Sequence, residues 1–127
     1  MHKALVARYA ERERLIALAH AYVEQLSTRV TPLAAIVAGS VARGDFNVWS
    51  DVDVVIVARE LPTRALDRIS LLTADAPAGV QPIGYTPAEL AKERRRGNEL
   101  VRSALSDGIV LVGQEFLADI VAVTTEA

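Results

Sequence analysis

The chain has 127 residues, 51% of them hydrophobic, which suits one domain with a core of its own. Its formal net charge of −2 argues against a general nucleic-acid binder, whose surface is usually strongly basic. The absence of cysteine excludes disulfides, zinc–thiolate sites and cysteine nucleophiles and fits a reducing cytoplasm, and no apolar run reaches the length of a membrane helix or a signal-peptide core.

Residues 3–28 read as an amphipathic helix. Leu5, Tyr9, Leu15, Ala19, Tyr22 and Leu26 recur at helical spacing, with residues 11–14 (ERER) on the wet side. Thr31-Pro32 ends that helix and leads into a first strand, residues 33–38. A short helix starts at Ser40, a turn follows at 44–47, and residues 51–58 form a second strand. Leu61-Pro62 interrupts the pattern, after which 62–74 reads as a helix on Leu66, Ile69 and Leu72. A loop at 75–79 precedes a third strand, 80–85.

Thr86-Pro87-Ala88-Glu89 carries an N-cap, a proline at the first helical position and the acid of a capping box. The C-terminal helix is expected over 87–106, kinked or broken near Gly97, with a glycine cap at Asp107-Gly108. A short strand at 109–112 and a terminal helix from Gln114 complete the chain. No repeat or linker interrupts it. The whole of 1–127 therefore reads as one α+β domain: a small mixed sheet with helices packed mainly on one face.

The most informative spacing is Gly39-Ser40, ten residues, then Asp51-Val52-Asp53. Strand residues two apart share a face, so Asp51 and Asp53 project side by side and repel unless a cation or proton lies between them. A hard dication such as Mg²⁺ takes carboxylate oxygens and keeps positions open for water and phosphate. A glycine lets a phosphate approach the backbone, and a helix start at Ser40 would add N–H donors and a hydroxyl. Either half alone is a common turn. Together they pair an anion cradle with a metal site, as nucleotidyl transfer requires.

These residues resemble the minimal nucleotidyltransferases of the DNA polymerase β-like superfamily. The match is Gly39, Ser40, Val41, Ala42, Arg43, Gly44 and Asp45, then Ser50 before Asp51 and Asp53. The resemblance implies the polymerase β-like fold, with Gly39 and Ser40 holding a nucleoside triphosphate. Asp51 and Asp53 would be the catalytic acids and the Mg²⁺ ligands. Arg43 could reach a phosphate or pair with Asp45. It further implies transfer of a nucleoside monophosphate, AMP from ATP, to a hydroxyl acceptor. Such proteins often act as the antitoxin beside a HEPN-domain partner, and a partner or an oligomer would supply acceptor recognition. The family uses a third acid on a later strand, where this chain has Gln81, a neutral residue that cannot act as a base. Asp75 and Glu89 do not obviously replace it. The alternative is therefore a catalytically reduced module that binds nucleotide or partner.

Outside the motif, Arg94-Arg95-Arg96 is the only basic run and reads first as a solvated helix face, second as a patch for a nucleotide, RNA or an acidic partner. His2 and His20 have no matching ligand set. Trp49 is placed either to stack a base or to pack at a rim. Tyr22 and Tyr85 read as core edges. No Walker A or Gly-x-Gly-x-x-Gly pattern is present.

Overall fold

Four strands form one mixed sheet in the order β3-β2-β1-β4: β1 (Ala34–Ala38), β2 (Val52–Val57), β3 (Val80–Tyr85) and β4 (Ile109–Val112). The computed structural model describes residues 3–46 and 51–126, with side chains described to residue 120. His2, Trp49 and Ser50 therefore lie outside the described residues. The connection from β1 to β2 carries only the one-turn helix α2 (Gly39–Arg43), too short for a parallel crossover, and the two strands are antiparallel. The longer connection from β2 runs through α3 (Ala65–Thr73) and delivers β3 parallel to β2. β4 returns antiparallel on the far side of β1.

β1 is buried at every position and β2 at all but Asp53, as expected of strands covered on both faces. On one face Ala35, Val37, Val54 and Ile56 pack with Leu15, Ala19, Tyr22 and Leu26 of α1 (Lys3–Leu26) and with Leu72 of α3. On the other, Ala34, Ile36, Val55 and Val57 meet three further helices. These are α4 (Pro87–Arg95) with Leu90, α5 (Glu99–Asp107) with Val101 and Ala104, and α6 (Gln114–Glu126) with Leu117. The mixed sheet and α+β class agree with the element order. The helices, expected mainly on one face, divide between both.

Several local expectations change for physical reasons. A helix as long as α1 spans about 36 Å, whereas a strand of five or six residues spans roughly 17–20 Å. The first turns of α1 therefore run past the sheet, leaving Leu5 58% and Tyr9 67% exposed instead of packed. α3 touches the sheet along a narrow stripe at β3. Leu72 fills the gap above Gly84, while Leu66 and Ile69 face solvent. Tyr22 is not an edge residue but is fully buried, its hydroxyl donating to the Leu72 carbonyl at 2.6 Å, and burial pushes that phenol up to about 12.

The helix expected over 87–106 is two helices. Gly97 takes a φ of +79°, which L side chains rarely adopt, and Asn98 caps α5 by accepting the Val101 N–H at 3.2 Å. Gly108 ends α5 in an extended conformation rather than a left-handed cap. Its glycine is required by space, since a Cβ there would strike the Ala104 carbonyl and Ile36.

The capping box at α4 forms as read. Thr86 Oγ1 accepts the Glu89 N–H at 3.3 Å, and Glu89 Oε1 accepts the Thr86 N–H at 2.8 Å. The same carboxylate accepts from Arg68 Nη1 at 2.7 Å, and Arg68 also donates to the Pro62 and Gly84 carbonyls. The Arg68 hydrogen bond is the main reason Glu89 titrates below its ordinary 4.5. A lowered folded value contributes stability above 4.5 that is lost as pH falls through it. Glu89→Gln should therefore destabilise the protein at neutral pH by about 1 kcal/mol or less, given the partial exposure of the carboxylate. In denaturant titrations the gap from wild type should close on acidification below 4.5; a gap that widens there would contradict the assignment.

Candidate active site

The motif residues meet at the C-terminal end of β1. Ala38 pairs with Asp53 across the antiparallel ladder, so the chain leaves β1 directly beside that aspartate. Gly39 then turns into α2 with φ +69°, and a Cβ built on it would collide with Asp53 Oδ2. Two separate constraints, backbone conformation and space, thus require glycine here. Ala38, the residue before α2, offers no side-chain acceptor to its first N–H groups, and Ser40 beside them is partly exposed.

Asp53 and Ala38 share the sheet face that carries α4 to α6, and Asp51, two residues earlier, immediately precedes the strand. Asp51 is exposed and Asp53 is half-buried. Burial, then the negative charge of Asp51, push the Asp53 carboxyl above its ordinary range, while Arg43 opposes the shift. Two adjacent carboxylates, one of them unfavourably charged, form a donor set suited to a hard cation. These residues therefore fit Mg²⁺ as a two-carboxylate site.

Gln81 lies in register with Asp53 on the neighbouring parallel strand and shares its face. It stands where the resemblance calls for a third acid, and neither Asp75 nor Glu89 replaces it. Asp75 is paired with Arg29 at 2.6 Å, and Glu89 is held by Arg68 and Thr86. Among the described residues, no group of three His, Cys, Asp or Glu side chains is arranged to hold a metal. His20 is exposed.

Arg43 ends α2 and pairs with Asp45 at 3.2 Å, an exposed contact worth little to stability. It also lines a cleft of about 720 Å³ together with Arg94, Arg102 and Ser103. Within the basic run Arg95 and Arg96 are solvated, as read, whereas Arg94 turns one guanidinium nitrogen into a buried position.

Sequence reading missed the support beneath α2. Arg12, placed on the wet side by periodicity, donates from Nε to the Val41 carbonyl and from Nη2 to the Ala42 carbonyl, both at 3.0 Å. Arg8 donates to the Gly44 carbonyl at 3.1 Å and to the Phe46 carbonyl, and its guanidinium lies 4.8 Å over the Phe46 ring. These cations satisfy carbonyls at the C-terminal end of the helix, where its dipole is negative. The only sequence signal is arginine at positions 8 and 12, one turn apart on one helix face, and nothing local says what it meets.

A family model described as a nucleotidyltransferase domain matches residues 21–111, and the chain belongs to that family. The sheet and helices are those of a minimal nucleotidyltransferase domain. One similar solved structure is a protein from Sulfolobus solfataricus provisionally described as a nucleotidyltransferase. It is 22% identical with a TM-score of 0.62, and the match covers 81% of this chain and 84% of that one. Another is a toxin–antitoxin protein crystallised with AMP-PNP, 17% identical with a TM-score of 0.53, over 84% of this chain and 87% of that one. At these identities the likeness concerns the fold. No curated protein matches the chain.

The arginine support makes a specific demand. Arg12→Gln should speed amide exchange at Gly44 and Asp45, whose N–H groups both bond to the Ser40 carbonyl, while sheet amides keep their protection. Hydrogen exchange read by NMR tests this; unchanged exchange at those two amides would show that Arg12 does not hold the helix.

Proposed function

We propose that the chain transfers a nucleoside monophosphate, AMP from ATP in the first instance, to a hydroxyl on a partner protein. One observation carries this reading: Gly39 lies so close to the Asp53 carboxylate that any side chain at 39 would fill the gap. That closeness supports reading the turn as a phosphate cradle and the carboxylate pair as a metal site of one centre. Gly39 and Ser40 would receive the triphosphate through backbone N–H groups and the serine hydroxyl, with Arg43 in reach of its outer phosphates. Asp51 and Asp53 would hold Mg²⁺. When bound, the cation supplies charge neutralisation for the triphosphate and its leaving group.

The acceptor hydroxyl oxygen forms the new bond to the α-phosphorus as the bond to the β-phosphate bridging oxygen breaks. Pyrophosphate departs with that electron pair, and the hydroxyl proton passes to an uncoordinated oxygen of the aspartate pair, which would help activate the attacking group. The motif resemblance supports a HEPN-type partner, and the likeness to a toxin–antitoxin protein supports a toxin–antitoxin setting with this chain as the antitoxin. A tyrosine of that partner would be the acceptor, with recognition supplied by the partner or a second copy of this chain. A cysteine-free composition favours a cytoplasmic setting, and the mild negative charge disfavours nucleic acid as acceptor.

Gln81 favours a second reading, a nucleotide- or partner-binding module of reduced activity, because its neutral amide occupies the register position beside Asp53. Transfer from α-labelled ATP to the co-purified partner separates the two. Asp51→Asn and Asp53→Asn should each reduce transfer by roughly a hundredfold or more. Gln81→Asp should raise transfer and tighten Mg²⁺ binding. Undiminished transfer in the two asparagine variants would end the enzymatic reading. ATP binding without transfer in wild type, with transfer gained in Gln81→Asp, would establish the reduced module.

A further inference from the structure

Among the described residues, two buried side-chain polar atoms have no hydrogen-bond partner: Nη1 of Arg94 and Oγ of Ser103. Both residues line the same cleft. Such atoms are rare and costly, and two of them on residues of one cleft wall point to a missing polar partner. Ser103 is only 8% exposed. The hydroxyls of Ser27, Thr73 and Ser106 each bond back to the carbonyl four residues earlier, at 2.8, 2.7 and 2.9 Å. Ser103 forgoes that local bond and keeps its hydroxyl unspent in the cleft wall.

The cleft lies between α2, α4 and α5, with Arg43, Arg94 and Arg102 on its lining against Glu99 and Asp107. No ion pair joins these charges to one another among the described residues; Arg43 alone is engaged, with Asp45 outside the cleft. On this lining three arginines outnumber the two carboxylates, and guanidinium groups beside a free hydroxyl suit phosphate oxygens. A volume of about 720 Å³ has room for a phosphate with more of its carrier attached. The cleft adjoins the aspartate pair, because Arg43 both lines it and acts electrostatically on Asp53.

We propose that the cleft between α2, α4 and α5 is a phosphate-binding subsite in which Arg94, Arg102 and Ser103 hold a phosphate group beyond those seated at Gly39-Ser40. Its use during transfer rests on the function proposed above; its phosphate chemistry does not. The phosphate belongs either to the far end of the nucleotide's own polyphosphate tail or to a second phosphate carrier that reaches the site beside the nucleotide.

Inorganic pyrophosphate, titrated calorimetrically into the full-length protein with a chelator present, tests the subsite without any metal contribution. Wild type should bind one equivalent. Arg102→Ala and Ser103→Ala should each weaken binding about tenfold, and Arg102→Lys should recover part of the loss. Arg102 is exposed and Ser103→Ala removes a single oxygen, so both variants should keep the wild-type melting behaviour. Asp53→Asn should bind pyrophosphate as well as wild type or better, since it removes a nearby negative charge, while losing AMP transfer. Equal pyrophosphate affinity in wild type, Arg102→Ala and Ser103→Ala overturns the subsite and leaves the transfer reading standing. Arginine-dependent pyrophosphate binding in a protein that never transfers AMP upholds the subsite and removes the transfer reading. Competition by metal-free ATP identifies the source: displacement assigns the subsite to the nucleotide's tail, and simultaneous binding assigns it to a separate phosphate carrier.

Discussion

The close approach of Gly39 to the Asp53 carboxylate sets the geometry on which everything else at this site depends. The β1–β2 register brings Ala38 opposite Asp53, and the chain must then turn sharply within one residue of a half-buried carboxylate. Only glycine meets both the left-handed backbone and the missing space. Once the turn is fixed, the direction of α2 is fixed as well, and its far end must be held against the body of the protein. Arg8 and Arg12 do this from a helix packed on the opposite face of the sheet. The short helix α2 is thus anchored at its C-terminal end by cations that complement its dipole.

Charge is distributed unevenly around that turn. Asp51 and Asp53 concentrate negative charge at the start of β2, and burial, then the charge of Asp51, raise the proton affinity of Asp53. Arg43, Arg94 and Arg102 concentrate positive charge across α2, with Glu99 and Asp107 as their partial counterweight. A net charge of −2 conceals this separation. A cation on the aspartates and phosphates along the arginines would each relieve a local imbalance. Gln81 tempers the chemistry: the parallel register brings a neutral amide beside Asp53, so the first two carboxylates carry whatever metal affinity the site has.

Much of the fold could be read from the sequence because its signals are local. The capping box at Thr86 and Glu89, the strands 80–85 and 109–112, and the short helix after β1 all rest on residues within a few positions of one another. The placing of Asp51 and Asp53 at the start of β2 was legible for the same reason. What escaped was set by distance in space. Periodicity assigns Leu5 and Tyr9 to an apolar face, yet it cannot show that the sheet is shorter than the helix above it. The wet-side assignment of Arg12 fails because its partners, Val41 and Ala42, lie 29 and 30 residues away. Ser103 offers no signal at all: a serine in a helix looks the same whether it bonds back to its own turn or lines a cleft.

A crystal structure of the protein with Mg²⁺ and a non-hydrolysable ATP analogue tests the unity of this site most directly. The triphosphate should rest on the Gly39-Ser40 turn with its cation shared by Asp51 and Asp53. A nucleotide bound elsewhere, with no cation at the two aspartates, would contradict the joining of the turn and the carboxylates into one nucleotide site.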